Sequence, residues 1–213
     1  MPIKVAIIGS GPAGFYTASA LHRACKACEI DIIERLPTPY GLIRGGVAPD
    51  HQTTKRVAKK FEKTALLDEV NYYGNVEINA DVSLSEMRGL YDAVVLAIGA
   101  PSDRKLTIPG ADKSGVFGSA AFVGWYNGHP DFRELEPDLN VATAAVIGNG
   151  NVAVDCARVL LRSHEGMAST DLPDHVRDAI DSAPIADVHL LGRRGPAQAS
   201  FTNVELRELG VMV

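Results

Sequence analysis

Short apolar runs alternate with longer amphipathic stretches along the chain, and this alternation predicts an α/β fold. Residues 5–8 form an apolar run of strand length, and residues 30–33 form a second one that only Asp31 interrupts. Residues 15–25 between them have the spacing of a helix. Uninterrupted apolar runs are typical of parallel strands that are covered on both faces. The first part of the chain is therefore predicted to form a strand, a helix and a second, parallel strand.

The alternation continues through the rest of the chain. The predicted elements are a helix over residues 53–67, strands over residues 75–79 and 93–98, strands over residues 144–147 and 188–191, and helices over residues 154–161 and 175–180. Residues 93–98 are entirely apolar, which predicts a strand in the centre of its sheet. Trp125 and Tyr126 are predicted to pack in a core rather than to stack on a ligand.

A glycine-rich turn follows the first predicted strand and has the G-x-G-x-x-G spacing of a dinucleotide-binding turn. Gly9 permits the tight turn, Gly11 lets a pyrophosphate approach the backbone, and Gly14 lets the helix pack closely on the strand. The helix N-terminus offers unpaired N–H groups to phosphates. Glu34 ends the second strand, where its carboxylate can accept hydrogen bonds from ribose hydroxyls. The motif predicts a bound adenine dinucleotide.

The pattern repeats in the second half of the chain, with a G-x-G-x-x-A turn at Gly148, Gly150 and Ala153. The next predicted strand, residues 188–191, is followed by Arg193 and Arg194, whereas the corresponding strand of the first copy ends in an acid. An acid at this position favours a free ribose 2′-hydroxyl, whereas arginines bind a 2′-phosphate bidentately. The first turn is therefore predicted to prefer an unphosphorylated ribose, as in FAD, and the second to prefer NADP.

Composition excludes several classes of function. The 213 residues are 46% hydrophobic and carry a formal net charge of −5, so no global charge indicates a nucleic-acid or membrane partner. No apolar run approaches the roughly 18 residues of a membrane-spanning helix. The first strand begins close to Met1, so we expect no targeting peptide. Three cysteines, an odd number, do not form a disulfide framework, which favours a reducing cytoplasm.

One motif is a weaker candidate for chemistry. Cys25 and Cys28 have the C-x-x-C spacing of a redox disulfide. They fall where the first helix ends and the second strand begins, behind the pyrophosphate turn. We therefore expect two small apolar residues rather than a redox pair.

Several long ungapped blocks resemble the adrenodoxin reductase type of ferredoxin–NADP reductase. The blocks are VAIIGSGPAGFYTA, PTPYGLIRGGVAPDH, FVGWYNGHPDF, VIGNGNVAVDCARVLL and GRRGPAQASFTNVELREL. The resemblance implies a flavoprotein in which FAD accepts a hydride from NADPH and single electrons then pass to a ferredoxin-type iron–sulfur protein. It also implies that few side chains take part in the chemistry, because the cofactor carries it.

The resemblance also implies roles for individual residues. The FAD contacts would be Gly9, Gly11, Ala13, Gly14, Glu34, Leu42, Ile78 and Gly99. The NADP(H) contacts would be Asn149, Gly150, Asn151, Val152, Arg193, Arg194 and Glu205, of which Glu205 would fix the ribose or the arginines. His51 and Asp155, the implied catalytic residues, would face each other across the domain boundary; a loop role for His51 remains open. Arg23 and Arg207 would meet the acidic ferredoxin.

The resemblance divides the chain into an FAD domain, residues 1–103, and an NADP domain, residues 104–213. Both are expected to be Rossmann-like and three-layered, and both to lack their C-terminal part, because members of this family are longer chains. Two other functions remain open. One is a fragment that binds FAD or NADP without turnover. The other is a flavin reductase subunit of a glutamate synthase-like assembly, which usually carries a cysteine-rich segment before the first glycine turn, where we expect no room for one.

Overall fold

Two units make up the chain in a computed structural model, which describes residues 1–162 and 164–210. The first unit comprises Met1–Val47 and His51–Pro101. The second comprises Ala48–Asp50 and the chain from Ser102 onward. The short segment Ala48–Asp50 thus packs with the later part of the chain, although both of its neighbours in sequence belong to the first unit.

The first unit contains a four-stranded parallel sheet with the strand order β3-β2-β1-β4. The strands are β1 Ile3–Ile8, β2 Cys28–Glu34, β3 Val70–Gly74 and β4 Ala93–Leu96. Ile8 pairs with Ile33 on one side and with Leu96 on the other. The carboxyl ends of these strands therefore lie together at one edge of the sheet, which is where α/β proteins bind ligands.

Helices cover both faces of this sheet. They are α1 Pro12–Ala24, α2 Leu42–Gly45, α3 Gln52–Lys55, α4 Ala58–Ala65 and α5 Leu84–Leu90. On one face, Phe15 and Phe61 pack with strand residues such as Ile7 and Ile32. Met87 packs with Ala6 and Ile33 in a separate cluster. Alternate strand residues thus contribute to two cores, which confirms the α/β class and the three-layer arrangement of the first unit.

The second unit contains a parallel pair of strands, β5 Thr143–Ile147 and β6 Asp187–Leu191. Its helices are α6 Ser119–Tyr126, α7 Asn151–Leu161, α8 His164–Met167, α9 Asp174–Asp181 and α10 Asn203–Gly210. Two 3₁₀ turns, Pro130–Phe132 and Pro196–Gln198, lie in its loops. Trp125 and Tyr126 are buried in its core with Val159 and Val176, so the prediction that they pack is confirmed.

Three predictions about elements were wrong. Residues 75–79 are not a strand: β3 ends at Gly74, and Asn75 and Asn79 both adopt positive φ, a turn conformation that asparagine tolerates. β4 is not central, because in the described sheet it pairs only with β1. An apolar run reports that the faces of a strand are covered and says nothing of its edges. The helix predicted over residues 53–67 is divided into α3 and α4.

In residues 1–162 and 164–210, helices are either too short or too polar to cross a bilayer.

Candidate functional site

The first glycine turn lies at the carboxyl end of β1, and two of its glycines are required by the protein itself. Gly9 adopts a φ of +108°, and a Cβ there would lie 2.3 Å from the carbonyl oxygen of Ala97. Its N–H donates to the carbonyl of Ile33 at 2.8 Å. A Cβ on Gly14 would lie 2.1 Å from the carbonyl oxygen of Gly9. The helix therefore begins in direct contact with the turn.

Gly11 is different, because no described atom of the protein lies close enough to require glycine there. Its φ is −74°, which any residue adopts, and the nearest described atom to an added Cβ would be the Gly41 Cα at 3.9 Å. Gly11 is the N-cap of α1, and no side chain of the described residues caps that helix. Ala13, in the first turn, is exposed. The turn therefore presents uncapped N–H groups, and no described atom would lie closer than 3.9 Å to a Cβ on Gly11, which suits a pyrophosphate site.

Glu34 is bonded to the glycine turn. Its Oε2 accepts hydrogen bonds from the Ser10 N–H at 3.0 Å and from the Ser10 Oγ at 2.7 Å. Its Oε1 accepts one from the N–H of Leu36 at 3.1 Å. Because a carboxylate has about four acceptor positions, Oε1 retains capacity for a ribose hydroxyl. Burial, and then the charge of Glu34, raise the pKa of the nearby Tyr72.

The loop after β2 lies against the glycine turn. The N–H of Tyr40 donates to the carbonyl of Ser10 at 3.0 Å, with Tyr40 at a φ of +90°. A Cβ on Gly41 would lie 2.9 Å from the Cα of Gly11. Leu42, which begins α2, is 66% exposed. The structure thus places Leu42 next to a residue that contacts the turn.

The other two predicted FAD contacts lie elsewhere in the first unit. Ile78 is half-buried and packs against the core that contains Met87. Gly99 follows β4 with a φ of +67°, and no described atom lies within 4 Å of an added Cβ. Gly99 is therefore required by its backbone conformation and borders open space.

The second glycine turn forms one wall of a cleft of about 340 Å³ in the second unit. The lining residues are Ile147, Gly148, Asn149, Leu191, Gly192, Arg193, Arg194, Gln198 and Ser200. Gly150 is the N-cap of α7, and the described side chains leave this helix uncapped, as they do α1. Asn151 and Val152 form its exposed first turn. The cleft therefore joins an uncapped helix N-terminus to two exposed arginines, a combination that suits a phosphorylated nucleotide.

Glu205 has a different partner from the predicted ones. Its Oε2 lies 3.1 Å from Nη1 of Arg158, a residue that the sequence patterns did not single out. Arg158 is only 1% exposed and also bonds to Asp50 and Asp155. Burial by itself would lower the pKa of Arg158, but hydrogen bonds and the charges of Asp50 and Asp155 raise it. The Asp155-x-x-Arg158 spacing, which suits an ion pair on a helix, was the signal available.

The predicted catalytic pair belongs to two different units. His51 is the N-cap of α3 in the first unit. Asp155 is in α7 of the second unit, where Arg158 Nη2 donates to its Oδ1 at 2.7 Å. That the two face each other stays a prediction. Arg23 and Arg207 are both exposed, near the C-terminal ends of α1 and α10, and their docking role also stays a prediction.

The cysteines are all free thiols. Cys28 begins β2 opposite Ile3, at the end of the sheet away from Gly9. Burial, and then a hydrogen bond with Cys25, raise the pKa of Cys28. Burial and the charge of Asp155 raise the pKa of Cys156 to about 12, so that thiol is protonated at neutral pH. Cys28 and Cys156 are buried, as small packed residues are.

Comparison with known proteins identifies the family. The sequence pattern of the pyridine nucleotide-disulphide oxidoreductases matches residues 3–195. The chain is 52% identical over 209 residues to the mitochondrial NADPH:adrenodoxin oxidoreductase of Arabidopsis thaliana, covering 98% of this chain and 43% of that protein. It is 48% identical over 213 residues to the NADPH-ferredoxin reductase FprA of Mycobacterium tuberculosis, covering 98% and 47%.

A solved structure agrees with these matches. Mycobacterium tuberculosis FprA in complex with NADPH superposes with a TM-score of 0.97 at 47% identity, covering 100% of this chain and 48% of that chain. The chain thus spans about half the length of the curated relatives it matches. The resemblance to adrenodoxin reductase-type proteins is confirmed. The chain belongs to the pyridine nucleotide-disulphide oxidoreductase family.

Proposed function

We propose that the chain binds FAD at the first glycine turn and NADP(H) at the second, as part of an NADPH:ferredoxin oxidoreductase. The observation that carries the proposal is the opposite charge that accompanies two otherwise similar turns. Glu34 is bonded to the first turn, whereas Arg193 and Arg194 line the cleft of the second. An acid selects an unphosphorylated ribose and arginines select a 2′-phosphate, so the two turns suit two different dinucleotides.

The residues of the first turn fit FAD. Among the described atoms, none would lie closer than 3.9 Å to a Cβ on Gly11, and no described side chain caps the first N–H groups of α1. In this proposal, Gly9, Gly11, Ala13 and Gly14 hold the pyrophosphate, and Glu34 accepts from the ribose. The remaining contacts, toward the flavin ring of FAD, would be Leu42, Ile78 and Gly99.

The residues of the second turn fit NADP(H). Asn149, Gly150, Asn151 and Val152 would hold its pyrophosphate at the start of α7, and Arg193 and Arg194 its 2′-phosphate. Glu205 would act through Arg158, which it contacts, rather than through the exposed arginines.

When bound, the cofactors would supply the redox chemistry, which is hydride transfer from NADPH to FAD and single-electron transfer to a ferredoxin-type iron–sulfur protein. The chain binds and orients the two nucleotides. We assign proton coupling to His51 and Asp155, and docking of an acidic iron–sulfur protein to Arg23 and Arg207. Relatives named as adrenodoxin and ferredoxin reductases support a ferredoxin-type partner. A cytoplasmic location stays a prediction, supported by the free thiols.

The test uses the purified 213-residue chain. We expect visible flavin absorbance, and bleaching of that absorbance when NADPH is added without oxygen. NADH at the same concentration should bleach it more slowly, because it lacks the 2′-phosphate. Flavin that is bound but never bleached would contradict hydride transfer in this chain and favour nucleotide binding without turnover. A purified chain without flavin would contradict FAD binding at the first glycine turn.

Arg193 and Arg194 can be tested separately from the flavin. Replacing both with alanine is expected to weaken NADP⁺ binding by at least about 10-fold, because a single charge-assisted hydrogen bond already contributes about 1.5–3 kcal/mol. NAD⁺ binding should change little. Isothermal titration calorimetry measures both ligands, and Arg133→Ala, an exposed arginine of the same unit, is the control. Equal losses for NADP⁺ and NAD⁺ would contradict 2′-phosphate recognition.

A further inference from the structure

The loop of residues 192–202 donates three hydrogen bonds to one carbonyl group of the second glycine turn. The Asn149 carbonyl oxygen accepts hydrogen bonds from the Ser200 N–H at 2.8 Å, the Ser200 Oγ at 3.0 Å and the Phe201 N–H at 3.1 Å. Three donors converge on one acceptor, so the end of the loop is held on the turn. Ser200 Oγ would also lie 3.5 Å from a Cβ on Gly150.

Two further contacts attach the same loop. The Thr202 N–H donates to Oδ1 of Asn151, the first residue of α7, at 2.9 Å. At the other end of the loop, a Cβ on Gly192 would lie 1.7 Å from Nδ2 of Asn149, so the Asn149 amide fills the space above Gly192. Both ends of the segment that carries Arg193 and Arg194 are therefore in contact with the turn.

This attachment has a consequence for recognition. The pyrophosphate site and the 2′-phosphate site lie on two segments that are distant in sequence. The distance between the two sites must nevertheless match the length of one nucleotide. Arg193 and Arg194 are exposed. If the backbone of the loop were as unconstrained as these exposed side chains, nucleotide binding would have to order both the backbone and the side chains. A loop that is fixed beforehand removes part of that entropic cost.

We infer that Ser200 is a positioning residue for 2′-phosphate selectivity: it bonds loop 192–202 to the glycine turn and so holds Arg193 and Arg194 in place. The inference rests on the proposed function, since it presupposes NADP(H) at this cleft. Ser200 need not touch the nucleotide, because its hydroxyl is engaged by Asn149.

The test compares three variants of the full chain. Ser200→Ala removes the hydroxyl, Ser200→Thr retains it, and Ser182→Ala removes the hydroxyl of an exposed serine that bonds to Asp178 and Ala179 in its own helix. Calorimetry gives the Kd of each variant for NADP⁺ and for NAD⁺. Hydrogen exchange gives the protection of residues 193–202 in the nucleotide-free chain.

Ser200→Ala is expected to lower the preference for NADP⁺ over NAD⁺ by about 3- to 10-fold, the value of one ordinary hydrogen bond. Exchange of residues 193–202 should be faster, and both properties should return in Ser200→Thr and stay unchanged in Ser182→Ala. An unchanged preference would overturn the inference. A lower preference with unchanged exchange would also overturn it, because the hydroxyl would then contact the nucleotide directly. An unsubstituted chain that does not distinguish NADP⁺ from NAD⁺ would overturn the proposed function itself, and the inference with it.

Discussion

Replacing Arg158 with methionine is expected to lower the free energy of unfolding of the second unit by about 3–5 kcal/mol. Arg158 is 1% exposed, and its Nε lies 2.7 Å from Oδ2 of Asp50, whose side chain is 3% exposed. It also contacts Asp155 at 2.7 Å and Glu205 at 3.1 Å. Methionine would fill part of the volume but would remove the main counter-charge of these buried carboxylates.

The measurement is urea denaturation followed by the fluorescence of Trp125, the only tryptophan of the chain, which is buried in the second unit. Arg158→Lys should be less harmful than Arg158→Met, because it keeps the charge but has no planar fork for two carboxylates. Arg133→Met, at an exposed position, should change stability by less than about 0.5 kcal/mol. A loss below about 1 kcal/mol for Arg158→Met would show that the cluster contributes little.

Replacing Gly14 with alanine is expected to destabilise the first unit and to abolish flavin binding. Alanine is the better helix former by about 1 kcal/mol. Its Cβ, however, would lie 2.1 Å from the carbonyl oxygen of Gly9, a backbone atom in a turn held by a hydrogen bond to Ile33. Overpacking of this kind costs about 1–3 kcal/mol and more where the backbone must move, so we expect the steric effect to win.

Gly11→Ala is the matched control, since the same methyl group there would meet nothing closer than 3.9 Å. We expect its fold to be preserved and its flavin binding to be lost, because the methyl would occupy the approach to the N-terminus of α1. Hydrogen exchange of β1 and β2 reports the fold, and visible absorbance reports the flavin. Rapid exchange in Gly11→Ala, or unchanged exchange in Gly14→Ala, would contradict this account.

The elements that were predicted well are those whose signal is local. β1, β2, β5 and β6 are centred on short, mainly apolar runs, and each was located to within about two residues, the usual uncertainty of element ends. Helix α9 was also predicted closely. β3 was missed because Val70–Gly74 contains polar and aromatic residues, while the apolar residues after it lie in a turn between Asn75 and Asn79.

The predicted sites divide in the same way. The glycines and Glu34 could be found from their spacing, because the conformation of a turn depends on a few adjacent residues. Ser10 and Ser200 could not be found, because their roles depend on partners that are far away in sequence. For Arg158 the spacing to Asp155 was the one local signal, and its other partners are distant in sequence. Ser10 bonds to Glu34, Arg158 to Asp50, and Ser200 to Asn149.

The sequence by itself determined the α/β class, the two glycine turns and the opposite charges that follow them, since each depends on residue types at short, regular spacing. Only the tertiary structure decided which of these glycines the protein itself requires. The physical reason is that Gly14 and Gly11 are the same residue type in different surroundings. A Cβ would lie 2.1 Å from backbone at Gly14, whereas at Gly11 no described atom would be closer than 3.9 Å. Tertiary packing likewise brought loop 192–202 onto the turn at Asn149 and surrounded Arg158 with carboxylates. Such contacts join segments that are far apart along the chain, and no periodic pattern in the sequence indicates which distant segments will meet.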